Sequence, residues 1–140
     1  MRVVIDTNVL VSGLISPHGV PARIIDLAFL GQIICVYDDR ILAEYAEVLA
    51  RPKFSRVIRP QDRDDILDFF ERLGERVLAE PLILPPDIPD KDDLPFIEVA
   101  VAGQARLLIT GNMEHFACFD RCGLIVRAAT PAEALALLCS

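Results

Sequence analysis

Apolar and polar positions along this chain repeat with two different periods. Short β-branched runs at Val3 to Ile5, Ile33 to Tyr37, Leu107 to Thr110 and Leu124 to Val126 are bounded by charged or turn-forming residues, as strands are. Between them, apolar residues recur mostly at helical spacing. Pro21 to Leu30 fits a helix with proline in its first turn and Gly31 at its stop. Asp38 and Asp39 are placed to cap the next, in which Ile41, Leu42, Tyr45, Val48 and Leu49 share one face before Pro52 ends it. The stripe Ile66, Phe70, Leu73, Val77 predicts a helix over Gln61 to Leu78, with acids in the first turn where the macrodipole favours them. Leu82 to Pro89 is proline-rich and reads as an extended connector. Phe96 to Gln104, nearly all apolar, reads as a helix buried on most sides. Thr130-Pro131-Ala132-Glu133 is a capping box that opens a last helix through Leu138.

Strands alternating with helices favour an α/β fold with a largely parallel sheet, and a chain of 140 residues is expected to form a single domain over 1–140. Apolar residues make up 53% of the chain, yet no run approaches the roughly 18 needed to span a membrane. Asp6 and Asn8 interrupt what would be the apolar core of a signal peptide, so a soluble, cytoplasmic protein is expected. Cys35, Cys118, Cys122 and Cys139 lack the paired C-x-x-C spacing of a zinc site and read as reduced core or surface residues. The net charge of −7 argues against a uniform grip on nucleic acid, so a polyanion partner would need a local basic patch or a bound cation. One such patch is visible. Arg51, Lys53, Arg56, Arg59 and Arg63 crowd a short stretch that contains one acid, Asp62.

The first strand ends abruptly in Asp6-Thr7-Asn8, which puts a carboxylate at the tip of a buried strand. Without a partner that charge costs several kcal/mol, so it is expected to bind a metal, cap a helix or meet a cation. In a parallel sheet, ligands collect beyond the carboxyl ends of the strands, where Asp6 and Thr110-Gly111-Asn112 both belong. Glu44 falls on the flank of its helix's apolar stripe while Glu47 points away, so Glu44 is expected half-buried and Glu47 solvated. Asp93 sits where an N-cap before Leu94-Pro95 would sit, and spacing alone puts it at the opposite edge unless residues 81–92 carry the chain back. Asp90 and Asp92 read as loop acids, and His115 as an ordinary surface histidine.

Taken in order, Val3-Val4-Ile5-Asp6-Thr7-Asn8-Val9-Leu10, Leu42-Ala43-Glu44-Tyr45 through Arg51-Pro52-Lys53-Phe54, Asp90-Lys91-Asp92-Asp93-Leu94-Pro95-Phe96 and Leu108-Ile109-Thr110-Gly111-Asn112 resemble the PIN-domain ribonucleases. The match is closest to the branch regarded as toxins of bacterial toxin-antitoxin pairs. The resemblance implies a three-layer α/β sandwich, a mostly parallel sheet flanked by helices, with its acids converging at one end. It also implies that Asp6, Glu44 and Asp93 are metal-binding and catalytic, supported by Thr7, Asn8, Asp90, Thr110 and Asn112. The family's fourth acid is absent, with Asn112 and His115 at the candidate positions, which weighs against tight binding of a second ion.

That chemistry has a physical logic. Converging carboxylates repel unless a proton or a cation intervenes, and an oxygen-only set suits Mg²⁺ or Mn²⁺ rather than zinc. The resemblance and this chemistry together imply metal-dependent hydrolysis of RNA, with Arg51, Lys53, Arg56 and Arg59 as candidate contacts to the phosphates; the resemblance further implies an antitoxin protein as partner and, with the high apolar content, a homodimer as assembly. The alternative is a non-catalytic RNA-binding or regulatory protein with an incomplete acidic site. Haloacid-dehalogenase phosphatase chemistry is disfavoured because Asn8 stands where that mechanism wants a second aspartate. Dinucleotide binding is disfavoured because no G-x-G-x-x-G follows the first strand.

Overall fold

Val3, Val4 and Ile5 are each at most 1% exposed, so the first strand, β1 (Arg2–Ile5), is covered on both faces. In the computed structural model, which describes residues 1–82, 91–117, 119 and 123–139, this strand lies at the centre of a five-stranded sheet. The other strands are β2 (Ile34–Tyr37), β3 (Glu75–Arg76), β4 (Leu107–Ile109) and β5 (Arg127–Ala129). Their spatial order is β3-β2-β1-β4-β5, and every pairing is parallel. The chain thus builds outward from β1 on one side and then crosses to the other. The point where that direction reverses lies between the tips of β1 and β4, the place where such sheets collect ligands.

Among the described residues six α-helices accompany the sheet: α1 (Thr7–Ile15), α2 (Val20–Phe29), α3 (Asp39–Leu49), α4 (Pro60–Leu73), α5 (Leu94–Ala102) and α6 (Pro131–Leu138). The expected caps are present at two of them. Asp38 accepts from the Ile41 N–H at 3.0 Å, and Thr130 from the Glu133 N–H at 3.1 Å. Tyr45 is wholly buried, and its hydroxyl donates to the Ile5 carbonyl, which fastens α3 to β1.

Three expectations need correction. The helix predicted over Gln61 to Leu78 ends at Leu73, and Glu75–Arg76 pairs with β2 instead. Gly74 lies so close to the preceding turn and to β2 that a Cβ there would come 2.6 Å from the Phe70 carbonyl oxygen and 3.1 Å from that of Cys35. Leu73, expected in the apolar stripe, is consequently 68% exposed. The last strand is Arg127–Ala129 rather than Leu124 to Val126, because Thr130 caps α6 directly and Thr110 N–H donates to the Ala129 carbonyl at 2.9 Å. Ile125 is left 92% exposed. Finally, Asp93 precedes α5 in helical backbone geometry and makes no side-chain cap bond. The predicted connector falls, but for Leu82, outside the described residues, as do Cys118 and Cys122, while Cys35 is buried and Cys139 exposed. Among the described residues no helix is long and apolar enough to cross a membrane.

Replacing Gly74 by alanine forces either the α4 end or the β2–β3 pairing to move. Thermal denaturation should register a loss of about 1–3 kcal/mol, with the fold otherwise kept.

Candidate active site

Asp6 follows β1 directly and continues its ladder, its N–H donating to the Ile109 carbonyl at 2.9 Å. It is also the N-cap of α1, one carboxylate oxygen accepting from the Thr7 N–H at 2.8 Å. The other oxygen accepts from the Thr110 hydroxyl at 2.6 Å and, at the longer distance of 3.4 Å, from the Asn8 amide. Thr110 is fully buried at the tip of β4, and its oxygen in turn accepts from the Asn112 N–H at 3.0 Å. The Asn8 side-chain oxygen Oδ1 accepts from the Gly111 N–H at 3.1 Å. The two strand tips are therefore laced together by side chains around one carboxylate.

Glu44, half-buried on α3, receives the hydroxyl of Thr7, whereas Glu47 is exposed. Asp93 is buried, and one of its oxygens lies 3.0 Å from His115 Nδ1. Asp6, Thr7, Asn8, Glu44, Asp92, Asp93, Asn112 and His115 all line one open cleft of about 470 Å³. Residues from four separated segments meet there, including Asp93, which spacing alone had put at the other edge. Among the described residues no group of three or more Asp, Glu, His or Cys is placed so that it could hold a metal ion. Asp90 lies outside the described residues.

The predicted basic patch divides. Arg51 and Lys53 line the cleft, together with Val48 and Phe54, while Arg56 and Arg59 do not. Arg51 makes a two-pronged pair with Glu47 at 3.2 and 2.9 Å, and Arg59 does the same with Asp62 at 3.0 Å. Lys53 rests its ammonium 5.1 Å from the centre of the Phe54 ring.

The electrostatics follow from this geometry. Burial pushes the Asp6 carboxyl above its ordinary value, against the pull of the Thr110 hydroxyl, the Thr7 N–H and the nearby His115. Burial also raises Glu44; the Thr7 hydroxyl opposes that, and the charges of Asp6, Asp92 and Glu47 add to it. Burial is thus the main cost of ionising both carboxyls. An added cation would relieve it, and the donors available are the hard oxygens that Mg²⁺ and Mn²⁺ accept, Mg²⁺ typically taking only one or two carboxylates alongside water.

Sequence reasoning did not foresee the Asp93–His115 contact or the Thr7–Glu44 bond, which join residues far apart in the chain. It also undervalued Asp92, which lines the cleft while exposed. Ser12 enters the lining because it follows Asn8 by one turn of α1; a capping aspartate ahead of Val9 and Leu10 was the available signal.

Fold and cleft together define a class: an all-parallel α/β protein with acids and hydroxyls gathered where its sheet reverses direction. The sequence model of the PIN domain matches residues 2–114, and the chain belongs to that family, whose members are generally nucleases. The uncharacterized protein MJ1680 of Methanocaldococcus jannaschii is 35% identical over 121 residues, which cover 86% of this chain and 76% of that protein. The crystal structure of VapBC2 from Rickettsia felis, bound to a DNA fragment from their promoter, aligns with a TM-score of 0.59 at 19% identity, covering 93% of this chain and 98% of that one. At that identity the likeness speaks for the fold.

A raised carboxyl makes the metal-free fold bind a proton that the unfolded chain would release. The resulting stability is fully present below the ordinary value of 3.8 and is lost as pH rises through the elevated value of Asp6. Asp6→Asn carries no charge and keeps the acceptor oxygen for the Thr7 N–H, while its NH2 faces the Thr110 hydroxyl, whose oxygen can accept from it. Melting of both proteins in chelator should show the variant more stable at pH 7, with the difference vanishing near pH 4.

Proposed function

We propose that this chain is a metal-dependent endoribonuclease that hydrolyses RNA phosphodiester bonds, and that it acts as the toxin of a toxin-antitoxin pair. The observation that carries the reading is one cleft in which the carboxyls of Asp6 and Glu44, both raised by burial, stand with Asp93 beside the cations Arg51 and Lys53. Membership in a family of nucleases supports the hydrolytic part. A toxin-antitoxin assembly of the same fold supports the antitoxin partner.

In this proposal Asp6, Glu44 and Asp93, which line one cleft without forming a ready-made cation site, would hold Mg²⁺ or Mn²⁺, and the ion would there supply an activated water and offset charge on the phosphate. Thr110 and Thr7 fix the two carboxylates by donating to them, while Asn8 and Asn112 tie the strand tips. Arg51 and Lys53 draw the RNA backbone across the acids. Arg56 and Arg59, outside the cleft, contribute only longer-range attraction. With Asn112 and His115 in place of a fourth acid, one ion is the expected stoichiometry. We also extend the proposal to a homodimer, supported by the exposed Met1, Ile125 and Leu137; sedimentation should return twice the 15.5 kDa chain mass.

Cleavage of a labelled RNA in Mg²⁺ or Mn²⁺ tests the reading. Asp6→Asn should lower the rate by about 10²-fold or more, since even outer partners of metal ligands are worth about 10–100-fold. Undiminished cleavage by that variant would reject the site, and RNA binding without cleavage in the wild type would favour the regulatory alternative. Binding also has a salt signature. Two phosphate contacts predict a slope of log K against log salt of about −1.4, and four would give about −2.8; Lys53→Ala should remove about half of the smaller figure.

A further inference from the structure

The cleft does not end at the acids. Asn8, Ser12 and Asn112 line it and also line a second, smaller hollow of about 270 Å³, so the two adjoin at these residues as lobes of one trough. The lobes differ in chemistry. The first holds the carboxylates with Arg51 and Lys53, whereas among the described residues no charged side chain lines the second. Half-buried Pro21 and Pro131 give it apolar walls, and Gly111 adds no side chain to fill it. A phosphate is poorly served there, because nothing offsets its charge. An uncharged, flat group suits the hollow better, and a volume below the roughly 300 Å³ at which pockets for drug-sized molecules begin suits a single base.

Asn112 stands at the junction of the lobes. Its backbone is held on both sides, the N–H donating to the Thr110 hydroxyl oxygen at 3.0 Å and the carbonyl accepting from the His115 N–H at 3.0 Å. Its side chain is exposed, and among the described residues the amide has no hydrogen-bond partner. The amide of Asn8, by contrast, is spent on Gly111 and Asp6. An idle amide on a fixed backbone presents a donor beside an acceptor, the arrangement that pairs with the edge of a base. Adenine offers the complement twice, its N6 amino group lying beside N7 on one edge and beside N1 on the other. Both edges are open to a protein only where the base is unpaired and splayed out of a stack, as in single-stranded RNA.

We propose that Asn112 selects the substrate, pairing with an unpaired adenine seated in the uncharged lobe beside the phosphate to be cut, an inference that rests on the ribonuclease reading of the cleft. The test is sequencing of the ends produced when a pool of unstructured, random-sequence RNA is cut in Mg²⁺ or Mn²⁺ by the wild type, N112A and N112D. Wild-type cuts should show adenine enriched at one fixed position beside the break by about fivefold or more, the low end of what a two-bond amide–base pair discriminates. N112A should bring adenine to within about twofold of the other bases. N112D keeps the size but offers acceptors alone, so the bias should pass from adenine to guanine, which presents N1–H and N2–H side by side. The bond to Thr110 uses the backbone N–H and survives both changes, so melting temperatures should stay close to the wild type. Cuts without base bias, or an adenine bias that N112A leaves intact, overturn the inference. Should N112A cut too slowly to read, N112D decides on the same measurement, and loss of cutting by both variants overturns the inference by making Asn112 part of the reaction instead of base choice. A wild type that cuts no RNA overturns the ribonuclease reading itself and this inference with it, so the two failures are told apart.

Discussion

The hydroxyl of Thr110 donating to Asp6 is the interaction on which the rest of this molecule turns. It joins the tips of β1 and β4, the neighbouring strands between which the sheet reverses its direction of growth. A carboxylate at the end of a fully buried central strand is tolerable only because three donors surround it, from Thr7, Thr110 and Asn8. The same bonds begin α1, order the turn after β4 and hold the carboxylate facing the cleft. Fold and candidate chemistry therefore share one set of contacts, and changing Asp6 acts on both.

Charge is distributed with a purpose that the net value hides. Most arginines on the surface are matched to a neighbouring acid, as in Arg59 with Asp62, Arg72 with Asp68 and Arg76 with Asp39. Such exposed pairs add little to stability. In the cleft, Asp6, Glu44, Asp92 and Asp93 stand beside Arg51 and Lys53, and of these cations Arg51 is matched to Glu47. A surface that repels polyanions at long range and a groove that would accept a phosphate once a cation is present are compatible.

The centre of the fold was legible because strands buried on both faces read as continuous apolar runs, which identified β1, β2 and β4 to within a residue. Elsewhere the reading slipped. Val9-Leu10-Val11, buried throughout, received no assignment, because such a run looks as much like strand as helix and only the capping role of Asp6 makes it the start of α1. Arg127-Ala128-Ala129 has little strand character of its own and is set by the cap that follows. Leu73 and Val77 kept helical phase across Gly74 by coincidence. At the site, Asp6 was legible from the cost of its position and Glu44 from its helical phase. Asp93 was not, because a capping residue and a cleft residue look alike until the path of the preceding segment is known. His115 could not be assigned a partner from spacing, since that partner lies 22 residues away.

The outermost strands carry a further consequence. β3 is two residues long, and both are engaged sideways, Glu75 with Arg2 and Arg76 with Asp39. β5 is three residues long and opens with an exposed arginine. Neither rim offers the long, flat, unpaired backbone on which another chain could extend the sheet. Open-ended growth of the sheet from copy to copy through these described edges is thereby disfavoured.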